Sequence, residues 1–256
     1  MSDLNRNIAP ARTGYRTDQV AIDAGLRAYM LRVYNYMATG VALTGVVAWL
    51  TYQAAGGDAI QVAGNRIGGL TAFGQAIFSG PLTLILFLGT LGLVFFLSFR
   101  IDRLQPGTAL GLFMVYAGLL GLMLASVFLT YTGVSITRVF FISAASFGAL
   151  SLYGYSTQRD LSPIGSFLIM GLFGLILAMF VQWWLQSPGL SFAISVIGVL
   201  IFAGLTAWDT QKIKEMYDVQ DDGTVAGRKA VMGALRLYLD FINLFLMLLR
   251  LMGDRR

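Results

Sequence analysis

At 256 residues the chain could hold one or two soluble domains by length, but 57% apolar content with 12% charged residues excludes a soluble composition. It has no cysteine and no histidine, which excludes disulfides, thiolate metal sites and imidazole chemistry; ion or proton traffic must run on Asp, Arg, Lys, Tyr and backbone. The net charge of +5 reads as the excess that orients a membrane protein, and no nucleic-acid role is expected.

Residues 1–30 are polar, with Arg6, Arg12, Arg16 and Arg27 among scattered acids. They are too long and too acidic for the start of a signal peptide and are expected to form a flexible cytoplasmic tail. A transmembrane domain over 31–256 follows. A helix needs about 20 apolar residues to cross the hydrocarbon core. Segments of that kind lie near 33–52, 81–99, 109–131, 136–155, 163–185, 190–208 and 233–251. The sequence therefore predicts an all-α integral membrane protein, a seven-helix transmembrane bundle, with longer connectors at 53–80 and 210–231. No internal repeat argues for an inverted-repeat transporter.

Lysine and arginine set the orientation. With the N-terminus inside, the tail through Arg32 and the connectors holding Arg100, Arg103, Arg159, Lys212, Lys214, Arg228 and Lys229 place twelve basic residues in the cytoplasm. Only Arg66 and Arg138 fall outside. The last segment is the open point: a full crossing puts Arg255 and Arg256 outside, whereas a re-entrant helix keeps them in. Within the spans, small residues such as Gly118 and Gly121, or Gly198 and Gly204, suit close helix packing.

The last segment, "LYLDFINLFLMLLR", carries an acid where none is cheap. Arg236, Asp240, Asn243, Met247 and Arg250 follow one another at steps of 4, 3, 4 and 3, so they share one helix face. An Asp at the centre of a membrane helix costs about 2.5–3.5 kcal/mol, and such residues commonly mark ion or proton paths. Asp240 lies about 10 Å in from the start of its segment at 1.5 Å per residue. The blander reading is an interfacial Arg236–Asp240 pair, although acid before base is the better order on a helix. A second acid, Asp209, ends the sixth span in "AGLTAWDTQKIKEMY". The helix dipole disfavours an acid there unless the helix continues through Lys212 and Lys214. Both acids lie toward the inner ends of adjacent spans and can meet. Arg100, closing the second span in "FLSFRIDRL", lies at the same level, where the positive-inside rule alone also accounts for it.

"FAGLTAWDTQKIKEMY" and "GALRLYLDFINLFLMLLRLMGDRR", with "VYAGLLGLMLASVFLTYTGVSI" and "FGALSLYGYSTQRDLSPIGSFL" in the middle spans, resemble the signature of the Bax inhibitor-1 family, from about Arg27 to the end of the chain. The resemblance implies a seven-helix bundle with the C-terminal helix central. In bacterial relatives two aspartates of the sixth and seventh helices form a hydrogen-bonded, pH-responsive pair associated with a calcium leak. By motif these fall on Asp209 and Asp240. It also implies an arginine near the second helix that latches one aspartate, for which Arg100 is the candidate, and a bacterial inner membrane as the location.

Two carboxylates in contact cannot both ionise cheaply and titrate as a unit, which gives a chain without histidine a way to sense pH between about 5 and 8. The expected function is a pH-sensitive, calcium-permeable leak through the bilayer, gated by Asp209 and Asp240 with Arg100, Arg236 and Asn243 nearby. No cofactor is expected; calcium or another cation is the cargo, and the acids offer it oxygen ligands, though two fall short of its usual 6–8. No enzyme activity is expected, since "LYLDF" lacks the Gly-x-Gly-Asp motif of intramembrane aspartyl proteases. The alternative is a regulator of a membrane protease or of stress and cell-death machinery, with no transport of its own.

Overall fold

Four prolines mark where helices start. Pro81, Pro106, Pro163 and Pro188 each stand in a first helical turn, where a missing N–H costs nothing and the fixed φ suits the helix. Side-chain caps add to them. Thr132 accepts from the Ser135 N–H, Ser187 from Leu190, and Asp222 from Thr224 and Val225.

The computed structural model describes the backbone of residues 11–57 and 69–255, and side chains over 24–57 and 69–255. In chain order the helices are α1 (Ala11–Ala54), α2 (Ala72–Phe78), α3 (Pro81–Arg100), α4 (Pro106–Thr130), α5 (Gly133–Ser156), α6 (Ser162–Leu185), α7 (Pro188–Glu215) and α8 (Gly223–Met252). A 3-10 turn, Ile101–Arg103, follows α3. Among the described residues seven helices are long and apolar enough to cross a membrane, all but the short α2. The protein is a multi-pass membrane protein.

The expected spans recur with longer ends. α7 runs on to Glu215, past the predicted end at 208, and α8 starts at Gly223, before the predicted 233. The segment expected as a flexible tail is helical from Ala11 and continues into the first span; Arg6 lies outside the described residues, as does Arg66 of the 53–80 connector.

α8 is the axis. It packs on α1, α4, α5 and α7, and Val231, Leu235, Leu237, Tyr238, Leu244 and Leu249 are almost wholly enclosed. The outer helices are the reverse: α3 packs on α2 and α4, and α6 on α7, each turning large side chains such as Ile85, Phe99, Phe173 and Phe180 outward. Lipid supplies no hydrophobic drive between helices, so close packing of small groups holds the bundle. A side chain at Gly154 of α5 would strike the Ala207 carbonyl of α7, and one at Gly121 of α4 would meet the Thr44 carbonyl of α1 at 2.8 Å. Gly45, Gly118 and Gly174, by contrast, face open space.

The last helix crosses fully. At its start, Gly227 lies against Pro106 and Arg228 Nε donates to the Leu104 carbonyl at 2.7 Å. At its far end the chain is tied to the turn between α4 and α5. The Thr132 N–H donates to the Asp254 carbonyl at 3.1 Å, the Asp254 N–H donates to Ser135 Oγ at 2.9 Å, and Arg255 bridges to Tyr131. A re-entrant helix cannot reach that turn, so Arg255 lies at the opposite end of the bundle from Arg100.

Candidate functional site: a carboxylate pair between the last two spans

The triplet Asp209-Thr210-Gln211 near the end of α7 points three ways, because successive helical residues are about 100° apart. Asp209 faces α8. Thr210 Oγ1 lies 2.9 Å from Ser151 Oγ of α5, which lies 2.6 Å from the Tyr34 hydroxyl of α1. Gln211 Oε1 accepts from the Leu161 N–H at 2.8 Å, and its Nε2 donates to the Arg159 carbonyl at 2.8 Å, closing the turn between α5 and α6. One stretch of α7 thus ties together four helices and their connector.

The acid is not at a helix end. α7 continues for six residues beyond Asp209, and Lys214 Nζ donates to the Tyr155 carbonyl at 2.9 Å in the last turn. Six residues at 1.5 Å put Asp209 about 9 Å inside the end of its helix. The extra turns of α8 before residue 233 lie at the level of the connectors, so Asp240 sits at the same depth as Asp209.

The two acids meet. Asp209 is 9% exposed and Asp240 5%, and their carboxyl groups lie within hydrogen-bonding reach of each other. Asp240 Oδ2 is enclosed and has no hydrogen-bond donor among the described residues. Two carboxylates are both acceptors, so a bond between them takes one shared proton. Gly233 makes room for this approach: Ile213 of α7 would lie 3.0 Å from a side chain added there.

Arg236, one turn before Asp240 on the same face, places Nη1 3.9 Å from Asp209 Oδ1. The interfacial Arg236–Asp240 pair considered from spacing is therefore replaced by a pair across helices. The Arg236 side chain is 41% exposed and forms the solvent-ward edge of the site. Arg100, the other arginine expected here, is exposed at the end of α3 and makes no ion pair with either aspartate among the described residues. α3 packs on α2 and α4, and the same level in the membrane does not bring Arg100 to the α7–α8 seam. Asn243 donates to the Leu239 carbonyl of its own helix at 2.8 Å, not to an aspartate. Farther along the stripe Met247 packs against Gly198 of α7, and Arg250 is exposed.

Hydroxyl groups that periodicity did not single out complete the interior. Tyr238 is fully enclosed; its hydroxyl lies 2.6 Å from Thr44 Oγ1, which also reaches the Ala117 carbonyl at 2.9 Å. The Tyr238 ring meets Phe113 and Tyr116 edge-on at 5.4 and 5.9 Å. Among the described residues no three ligating side chains cluster as a metal site.

Comparison with known proteins gives the family. The family described as "Inhibitor of apoptosis-promoting Bax1" matches residues 26–256. The protein RP147 of Rickettsia prowazekii (strain Madrid E) is 50% identical over 234 residues, covering 91% of this chain and 92% of its own. Inner membrane protein YbhL of Escherichia coli (strain K12) is 45% identical over 236 residues, 91% of this chain and 94% of its own. A Caulobacter vibrioides protein is 42% identical over 259 residues and the whole of both chains. The match takes in all seven spans and both aspartate helices, and the chain belongs to the Bax inhibitor-1 family of membrane proteins.

Proposed function

We propose that the protein is a calcium-permeable leak pathway gated by the protonation of the Asp209–Asp240 pair. The observation that supports this reading is the contact of two nearly enclosed carboxyl groups on neighbouring spans, with Arg236 at its edge. A shared proton joins α7 to α8 across this contact. Removing it leaves two like charges in a site of low polarity, while Arg236 can neutralise only one of them. The seam between the helices is then the element that protonation biases. Two carboxylates fall well short of the 6–8 oxygens calcium usually takes, which suits an ion in passage more than one held. The reading involves no catalytic step and no cofactor.

Relatives and charge supply the setting. The name of the Escherichia coli relative supports a bacterial inner membrane. The concentration of basic connectors at the Arg100 end supports an N-terminus in the cytoplasm.

The test is flux through the purified protein in liposomes loaded with a calcium dye, between about pH 5 and 8. The wild type is expected to leak calcium with a pH-dependent rate. The double variant Asp209→Asn, Asp240→Asn, which keeps the shape and removes the titrating groups, is expected to lose that dependence. Unchanged pH dependence in the variant, or no flux from the wild type at any pH, overturns the proposal.

A further inference from the structure

Between α1 and α5 the bundle is open to its surroundings. Both helices pack on α8 and touch each other at Tyr34 and Ser151, and outside that contact they part to leave a groove of about 620 Å³ near the Arg100 end. Leu31 and Leu152 form outward-facing walls, and Gly148 leaves one side bare: a side chain added there would meet nothing within 4 Å. The floor is the bonded pair Tyr34 and Ser151. From Arg27 to Tyr34 is seven residues of helix, about 10 Å at 1.5 Å each, so the groove runs from the membrane surface into the hydrocarbon.

Its rim carries one cation, with a second close by. Arg27 lines the mouth, is exposed, and has no carboxylate partner among the described side chains. Lys214 Nζ stands behind the mouth, 5.2 Å from the centre of the lining Tyr155 ring and donating to the Tyr155 carbonyl at 2.9 Å, with two donors left for an anion. A recess on the lipid face cannot stay empty beside mobile acyl chains, and water inside it would find only the floor hydroxyls to bond. Basic pockets between spans at this level suit anionic head groups.

We propose that this groove is a binding site for one anionic phospholipid, with an acyl chain between α1 and α5 and the phosphate at Arg27 and Lys214. The site does not depend on the leak. Its floor hydroxyls continue through Ser151 to Thr210, the neighbour of Asp209 in the chain.

The full chain in nanodiscs, doped with phosphatidylglycerol or phosphatidylcholine carrying a photoreactive group in mid-chain, tests this by mass spectrometry of the adducts. Phosphatidylglycerol adducts are expected to concentrate on residues 27–34 and 147–155 over the outward face of α6. Gly148→Phe fills the groove and is expected to remove that concentration, with an unchanged melting temperature verifying the fold. Arg27→Gln is expected to reduce the preference for phosphatidylglycerol about 5-fold, the equivalent of about 1 kcal/mol per basic residue at the surface. Adducts as dense on α6 as in the groove overturn the site, as does a folded Gly148→Phe protein labelled like the wild type. Equal labelling by the two lipids overturns the anionic head group.

Discussion

α6 and α8 are both single, uninterrupted membrane helices, and they are built in opposite ways. α6 carries no charged residue, yet most of its large side chains face outward: Phe167, Met170, Phe173, Leu177 and Phe180 are each at least 65% exposed. α8 contains Arg228, Lys229, Arg236, Asp240 and Arg250 and is buried through most of its length. In water the more apolar helix would lie inside. Here lipid takes the apolar helix, and polar groups gather where other protein can satisfy them. Hydropathy in such a bundle reports distance from the lipid more than distance from the centre.

The sharpest way to break this comparison is to empty one position on each helix. Tyr238→Ala removes a fully enclosed ring and is expected to cost about 3–5 kcal/mol in unfolding from mixed micelles. Phe173→Ala, at a residue 65% exposed, is expected to change stability by less than about 0.5 kcal/mol. Similar losses from both would mean that α8 is not the core.

Small residues extend the contrast with a smaller effect. Gly154→Leu drives a side chain into the Ala207 carbonyl and is expected to cost about 1–3 kcal/mol, whereas Gly174→Leu points into open space and is expected to be neutral. Thermal melts of the two variants decide it; equal shifts would show that helix spacing is set elsewhere.

The smallest expected effect concerns how α6 begins. Outside the membrane, Asp160 is held below the usual carboxylate range by hydrogen bonds from Ser162, its side chain first and then its N–H, with Lys212 adding a minor attraction. A lowered folded-state pKa adds stability above the ordinary carboxylate range, lost as pH falls through the lowered value. Amide exchange in the first turn of α6 is expected to quicken over that acid interval relative to Asp160→Asn, whose profile should be flat by comparison. Parallel profiles for the two proteins would remove Asp160 from the cap.

Much of the fold was legible because apolar runs act locally. The runs at 81–99, 109–131, 163–185 and 190–208 recur, with shifted ends, as α3, α4, α6 and α7. The early start of α8 was missed because Gly223–Met232 is too polar to register as a span, although Asp222 is a good capping residue. The aspartates were found through cost: an acid in an apolar run needs a partner, and the spacing of Arg236 and Asp240 gave them one face. Arg100 illustrates the limit. Position along a span gives depth, but not the side of the bundle toward which the residue turns. The contacts Tyr34–Ser151 and Thr44–Tyr238 join residues 117 and 194 positions apart, and no local pattern in a hydroxyl announces so distant a partner.

The knot of bonds joining Asp254 and Arg255 to the turn at Tyr131–Ser135 has a consequence for biogenesis. The axial helix is made after the six other spans. During synthesis those spans must either hold a vacant slot or wait apart, and the arrival of residues 252–255 at the far turn is what latches the finished bundle. The order of manufacture is thus the reverse of the order of burial, and quality control acting on this protein would find its core exposed until the seventh span is home.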